Sequence, residues 1–353
     1  MIRNHKAGAF EKALTAAFGT MVAFALTACG GGGGGGTGGY PAAMSTTTST
    51  PSSTATGSST GTQQTAAEPG SEELAAFELL NDERLKCGFG PLVRNSALDA
   101  AARGHANWLL LNNRNGHYQT ERTQGFTGVN VLDRASTAGY SAGWVEDENA
   151  SFARSSATGV GQLSIRTLLS GPYHMRGLVD GYRDVGLAVM TSEEAGATNQ
   201  AKRVVAQVDI GYTGKDGRRS SSPGVVSTYP CDGTNGTFAQ STSESPNPVP
   251  GRTSPTGQPI FVFGDYGKSL TISSALLQEV ITGNTPTLLP TMSATTDPNG
   301  YLWAHEAAIL PDQPLKTSTA YRVTIVGINA GKPFTKTFTF TTGAFANAAS
   351  APN

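Results

Sequence analysis

Residues 170–187, SGPYHMRGLVDGYRDVGL, contain two of the side chains that decide how this chain folds, His174 and Asp184. Upstream of this stretch, His117 and the pair Glu148-Asn149 complete an ordered set of residues that can bind metal ions. Glycine and proline residues lie between the members of this set, which predicts that the members are near turns and the ends of helices and strands. Because only 14% of the residues are charged, this gathering of imidazole and carboxylate groups indicates a site.

Other short motifs accompany these residues in a fixed order. They are Leu80-Asn81-Asp82-Glu83-Arg84, Gly90-Pro91-Leu92, Leu98, Ala101-Ala102-Arg103-Gly104-His105-Ala106, Asp133-Arg134, Gly139-Tyr140 and Tyr182-Arg183. The series resembles the CAP superfamily (cysteine-rich secretory proteins, antigen 5 and plant pathogenesis-related 1), and within it the bacterial SCP-like branch, over residues 71–212. The resemblance implies an α+β fold, an α-β-α sandwich with helices on both faces of a mostly antiparallel sheet.

The resemblance also implies a cleft in which two histidines and two acidic residues converge. His117 matches the histidine after the second helix, Glu148 the acid of a Gly-Glu-Asn motif, and His174 the histidine of a Ser-Pro-Gly-His-Arg motif. Asp184 matches the acid that precedes a Val-Gly strand, although it is one methylene shorter than glutamate. Asp147 stands where the motif has glycine, so the backbone there must avoid a positive φ or carry its cost.

Two imidazoles and two carboxylates suit zinc, and they equally suit a hydrogen-bonded cluster that fixes loops. The chain contains no HExxH spacing, no Gly-x-Ser-x-Gly elbow and no cysteine nucleophile motif. His105 falls on an apolar helical face, which predicts a core histidine bonded to a backbone carbonyl rather than a ligand. The sequence therefore predicts a cleft with an optional zinc ion and identifies no catalytic residue.

The first 28 residues predict a lipoprotein signal peptide. Positive residues precede the mostly apolar stretch 13–26, which is too short to span a bilayer, and Leu26-Thr27-Ala28-Cys29 fits a bacterial lipobox. Cys29 would become the lipidated N-terminus, anchored by several acyl chains. The alternative is an ordinary cleaved signal peptide with a chance cysteine.

Composition divides the rest of the chain. Residues 29–70 are rich in Gly, Ser and Thr and predict a disordered tether. The remainder is too long for one core of ordinary size, which predicts a CAP-like domain over 71–219, a linker over 220–257 and a second domain over 258–343. Residues 344–353 are expected to be a disordered tail.

Short β-type runs separated by turn residues predict an all-β sandwich for the second domain. Strict alternation over 321–325 indicates a strand with one buried face, and its hairpin resembles bacterial immunoglobulin-like or fibronectin III-like modules. His305 and Glu306 lie in one of the predicted strands. Because adjacent strand residues face opposite ways, we expect these two side chains not to form a joint site.

Three cysteines occur, and the lipobox uses one of them. Cys87 and Cys231 remain, an even pair in a chain predicted to be exported to an oxidising compartment, which favours a disulfide. Two free buried thiols are the alternative.

The predicted function follows from these features. The formal net charge is −1 with no basic block, so a nucleic acid partner is not expected. We expect a lipid-anchored protein of the bacterial cell envelope, in the outer membrane, that binds a small apolar ligand, a lipid or an envelope or surface protein without catalysis. The alternative is a metal-dependent hydrolase of peptides or peptidoglycan that uses His117 and His174 as ligands and Glu148 as general base.

Overall fold

The computed structural model describes residues 71–197 and 200–351. The expected signal peptide (1–28), the expected tether (29–70) and the lipidation residue Cys29 lie outside the described residues. No helix in the part of the chain that the structure describes has the length and apolar character needed to cross a bilayer.

Five helices precede or flank the first sheet. They are α1 (Glu72–Lys86), α2 (Ser96–Leu111), α3 (Val131–Thr137), α4 (Val160–Leu168) and α5 (Pro172–Val179). The first helix begins after Ser71, whose hydroxyl accepts a hydrogen bond from Leu74 N at 3.1 Å and so caps the helix. It ends at the cap residue Cys87, and Pro172 starts α5 at a position that tolerates the missing N–H.

The first sheet has the strand order β1-β3-β4-β2. Its strands are β1 (Val93–Arg94), β2 (Ala142–Phe152), β3 (Asp184–Thr191) and β4 (Val204–Thr213). Strands β3 and β4 are antiparallel, as are β2 and β4, whereas β1 runs parallel to β3. The order leaves β2 at an edge of this sheet.

Helices cover both faces of the sheet, which confirms the predicted α-β-α sandwich. On one face, α2 packs so closely that a Cβ on Gly186 of β3 would lie 2.0 Å from the backbone of Leu98. On the other face, Leu80 of α1, Ile165 of α4 and Leu178 of α5 share a core with the strands. Apolar side chains on both faces therefore hold the three layers together.

The second half consists of two more four-stranded sheets with the orders β5-β7-β10-β9 (the inner sheet) and β6-β12-β11-β8 (the outer sheet). The strands are β5 (Ser227–Tyr229), β6 (Asn235–Thr237), β7 (Ile260–Phe263), β8 (Leu270–Glu279), β9 (Met292–Ser293), β10 (Glu306–Ile309), β11 (Ala320–Asn329) and β12 (Lys332–Thr342). Both sheets are antiparallel except that β6 runs parallel to β12. They pack on a shared core, as a β-sandwich requires.

The inner sheet is buried on both faces. Ile260 and Val262 of β7 belong to the sandwich core, whereas Phe261 and Phe263 belong to the core that contains α1, α4 and α5. Helices α1, α4 and α5 therefore lie between two sheets. This contact joins the halves through a continuous apolar interior.

Two segments expected to be irregular contain ordered structure. Residues 220–257, the expected linker, supply β5 to the inner sheet and β6 to the outer sheet. Within the expected tail, residues 348–350 form a 3₁₀ helix that contacts α4. In both segments tertiary pairing orders sequences whose local composition predicts loops.

Cys87 and Cys231 form the predicted disulfide, with Cα atoms 5.4 Å apart. The bond joins the end of α1 to the segment between β5 and β6. It therefore links the CAP-like half covalently to the sandwich.

Candidate functional site

Strand β2 places two consecutive carboxylates on opposite faces of the first sheet. Asp147 faces α2 and α3, where Arg134 of α3 donates to its Oδ2 at 3.1 Å. Glu148 faces α5, where its Oε1 lies against Gly177 so closely that a Cβ there would be 2.2 Å away. This division follows from the two-residue period of a strand, and it determines what each histidine can reach.

His117 lies in the loop between α2 and α3 and pairs with Asp147. Its Nδ1 is 3.3 Å from Asp147 Oδ1, and its imidazole side chain is 40% exposed. Two contacts hold the loop: Arg134 donates to His117 O at 2.9 Å, and Asn149 donates to Gly116 O at 3.2 Å. The loop thus presents His117 at the edge of the sheet.

The pairing of His117 with Asp147 changes the pKa of both groups. Partial burial alone would lower the pKa of His117, but the charge and hydrogen bond of Asp147 outweigh it and raise the pKa to about 9. Burial would raise the pKa of Asp147, yet the charges of His117 and Arg134 hold it well below its usual range. At neutral pH the pair is therefore an imidazolium and a carboxylate.

Further polar groups enclose the inner side of Asp147. Gln207 of β4 donates to Asp147 Oδ2 at 3.0 Å and to Asp209 Oδ1 at 2.7 Å. Burial first, and then the charge of Asp147, raise the pKa of Asp209 to about 7. His105 lies beside this group with its Nε2 3.0 Å from Gly116 O, so the prediction of a core histidine bonded to a backbone carbonyl is confirmed.

His174 on α5 belongs to the opposite face of the sheet. Its Nδ1 makes a short hydrogen bond with Glu148 Oε2, and its backbone N donates to Glu244 Oε1 at 2.8 Å. The imidazole side chain is 20% exposed and the Glu244 side chain only 2%. Because Glu244 comes from the segment before β7, the second half of the chain covers His174.

Burial and mutual charge set the protonation of this second group. Burial raises the pKa of Glu148 despite the attraction of His174. Burial would lower the pKa of His174, but Glu148 and Glu244 raise it. The pKa of Glu244 rises to about 7 because burial outweighs the charge of His174.

Asp184 lies apart from the other three predicted site residues. It pairs in register with Gly211 of β4, which pairs with Val145 of β2, three residues before Glu148. Its Oδ2 accepts a hydrogen bond from Tyr140 at 2.7 Å. The strand period puts Asp184 on the face covered by α2 and α3, opposite Glu148, so it does not share a site with Glu148 and His174.

The predicted residues do not fit a zinc ion as one ligand set. Zinc bonds of about 2.0–2.2 Å require that all ligand atoms converge on one point. His117 pairs with Asp147 and His174 pairs with Glu148. In the part of the chain that the structure describes, no three ligand atoms of the predicted residues lie within 4.8 Å of one another. What the strand brings together is two histidine–carboxylate pairs rather than one tetrad.

Two contributors to these pairs were missed by the sequence reasoning. Asp147 could have been found, because a carboxylate at a position expected to be glycine is itself an anomaly. Glu244 carried no local indication, since it reaches His174 from 70 positions along the chain.

Part of this chain is similar to a known protein family and to solved structures. The model of the Cysteine-rich secretory protein family matches residues 77–208, and this part of the chain therefore forms a CAP domain. Solved structures that match include an outer surface protein from Borrelia burgdorferi (16% identity, TM-score 0.30, 39% of this chain and 91% of that one). Another is an extracellular SCP-domain protein from Bacillus anthracis (17% identity, TM-score 0.30, 39% of each chain). No curated protein is significantly similar.

Proposed function

We propose that this CAP-domain protein is an exported, lipid-anchored component of the bacterial cell envelope that binds a small apolar ligand, a lipid or a partner protein without catalysis. The observation that carries the non-enzymatic part is the pairing of each histidine with a different carboxylate of β2. His117 and His174 are each engaged by a different carboxylate. Neither histidine is left as a free base beside a nucleophile.

The cover over His174 supports the same proposal. Glu244 binds the backbone of His174, and the neighbouring Tyr173 donates its hydroxyl to Asp297 of the sandwich. Hydrolysis of a polymer needs an open cleft in which the scissile bond reaches the catalytic groups. Contacts from the sandwich occupy that approach to His174.

The outer sheet offers a surface that suits an apolar partner. Leu276 of β8 and Val326 and Ile328 of β11 are exposed large apolar side chains. Val326 and Ile328 share a face, and Leu276 lies opposite Thr324 on the neighbouring strand of that face. A contiguous apolar stripe on a soluble domain is typical of an interaction surface.

The anchor is tested by replacing Cys29 with serine. We expect Cys29→Ser to lose acyl labelling and to leave the outer-membrane fraction, because the lipid attaches to this sulfur. The matched control is Cys87→Ser with Cys231→Ser, which removes the other two cysteines and keeps the lipobox. Unchanged acyl labelling and fractionation of Cys29→Ser would contradict the anchor.

The absence of hydrolase activity has its own test. Purified protein with added zinc should release no soluble fragments from peptidoglycan, and the His117→Ala/His174→Ala variant should behave identically. Release by the wild type that the double variant loses would favour the metal-dependent hydrolase instead. Binding of lipid vesicles that falls in Leu276→Ser/Val326→Ser/Ile328→Ser would support the binding module.

A further inference from the structure

A second cluster of chemically active side chains lies where the CAP domain meets the inner sheet. Asp180 caps the end of α5, and His305 and Glu306 stand at the start of β10. One ligand atom from each of the three lies within 4.8 Å of the others. The residues are 5%, 2% and 0% exposed, respectively. Burying several ionisable groups in an apolar junction costs free energy unless hydrogen bonds, opposite charges or a bound ion replace the lost hydration.

The two neighbours in sequence converge because His305 lies just outside the strand. The backbone N of Glu306 donates to Trp303 O at 3.0 Å, so the chain turns immediately before β10 begins. Strand alternation therefore does not apply between His305 and Glu306. The two side chains therefore approach each other, although alternation along a strand would have turned them apart.

Two buried atoms of this cluster have no hydrogen-bond partner. They are His305 Nε2 and Glu306 Oε1, which lie 4.0 Å apart, too far for a direct hydrogen bond. The other oxygen of Glu306 is occupied, since Oε2 accepts from Arg176 Nε at 3.0 Å and from Trp303 N at 2.7 Å. Unsatisfied buried polar atoms are rare in native proteins and indicate an absent water or ion.

We propose that Asp180, His305 and Glu306 bind a divalent cation of the zinc class at the junction of the CAP domain and the sandwich. An imidazole with two carboxylates is a ligand set that zinc accepts. Bonds of about 2.1 Å place tetrahedral ligand atoms about 3.4 Å apart, so side-chain adjustments of about 1 Å would close the set. Asp180 and His305 also line a cavity of about 50 Å³, enough for a water as fourth ligand.

The two arginines beside the cluster are compatible with a cation. Arg218 pairs with Oδ1 of Asp180, and its guanidinium lies 4.0 Å over the Tyr266 ring. Arg176 has a second carboxylate, Glu146, at 3.4 Å and lies 4.8 Å over the Trp303 ring. Each ligand carboxylate can therefore give one oxygen to an arginine and the other to the ion, and Glu146 adds a third negative charge beside Arg176.

Calorimetric titration of the full chain with zinc chloride tests the site. The His117→Ala/His174→Ala variant serves as the background, so that the paired histidines of the CAP domain cannot contribute. We expect this background to bind one zinc per chain and to gain several degrees in Tm. Adding Glu306→Gln or His305→Gln should weaken binding at least tenfold. The matched control is Glu279→Gln, which changes another buried, ion-paired glutamate of the sandwich in the same way.

Two outcomes would overturn the proposal. One is no zinc uptake by the background variant, in which case the unpaired atoms bind only water. The other is equal uptake with and without Glu306→Gln, which would place the zinc elsewhere. Circular dichroism of each variant separates loss of binding from loss of folding. If His305→Gln fails to fold, the result is decided by Glu306→Gln, because glutamine is nearly isosteric with glutamate.

Discussion

Two of the groups in which a histidine meets carboxylates, one at the edge of the CAP sheet and one at the junction with the sandwich, differ in the protonation of the imidazole. At the edge of the CAP sheet, Asp147 raises the pKa of His117 to about 9. At the junction, burial, together with the charges of Arg218 and Arg176 and against the attraction of Asp180, lowers the pKa of His305 to about 4. The first imidazole is charged at neutral pH and the second is neutral.

This difference shows that burial and neighbouring charges, rather than residue type, decide what a histidine can do. A protonated imidazole is a hydrogen-bond donor that fixes a loop, as His117 does, and it cannot accept a metal. A neutral imidazole has a lone pair available for coordination. Residues of similar type therefore serve as a structural pair in one region and as a candidate ligand set in the other.

The largest effect is expected from removing the disulfide. This change should loosen the junction more than the edge of the CAP sheet. Cys87→Ala/Cys231→Ala opens a loop of 144 residues, and loop entropy predicts a loss of about 4–5 kcal/mol in the free energy of unfolding, measured with urea. Gly88 and Phe89, next to Cys87, line the cavity beside His305. Hydrogen exchange should therefore rise more at 304–309 than at 144–149.

A loss below about 1 kcal/mol in that variant would contradict the loop-entropy argument. Equal acceleration of exchange in the two segments would show that the disulfide does not act on the junction in particular.

A smaller effect is expected from replacing Arg134, the buried arginine that pairs with Asp147 in the CAP sheet. Arg134 is buried and its guanidinium compensates Asp147, so Arg134→Met should cost about 3–5 kcal/mol because it leaves a buried carboxylate poorly paired. Thermal and urea unfolding measure this loss. The matched control, Arg103→Met, removes an exposed arginine that pairs with Glu73 and should cost about 1 kcal/mol or less. Equal losses would contradict the structural role of Arg134.

The smallest effect depends on pH. The folded pKa of His117 is about 9, above the unfolded value of about 6.5, so its stabilising contribution is complete below pH 6.5 and is lost as the pH rises through 9. The charges that face it are Asp147, Glu148 and Arg134. Because the side chain is 40% exposed, solvent screening limits the effect to about 1 kcal/mol or less.

Comparison of wild type with His117→Gln isolates this contribution, since the other titrating groups are common to both proteins. The difference in unfolding free energy should be constant below pH 6.5 and shrink between pH 6.5 and 9. A difference that grows with pH would contradict the pairing with Asp147.

Much of the fold could be predicted from local patterns. The caps of α1, the apolar runs of β3 and β4 and the alternation of β11 identify these elements without tertiary information. The apolar run Ile260–Phe263 carried a further indication that was not used. A strand without alternation is typical of burial on both faces, and β7 is buried in this way between the sandwich core and the CAP helices.

The site was less predictable because it depends on strand register and on distant segments. The spacing of Glu148 and Asp184 does not reveal that they face opposite sides of the sheet, since that depends on which residues pair across β4. The turn before β10 likewise brings His305 and Glu306 together against the expected alternation. Long-range contacts of this kind produce no periodic pattern in the sequence from which they could be predicted.

The most direct test of the account is an NMR titration of the imidazole resonances, with the protein labelled with ¹⁵N at its histidines and each signal assigned from a His→Gln variant. The account predicts that His117 titrates near pH 9 and remains protonated at pH 7, whereas His305 titrates near pH 4 and is neutral. Titration of His117 near its ordinary value of about 6.5 would contradict the claim that Asp147 holds it as a charged structural pair.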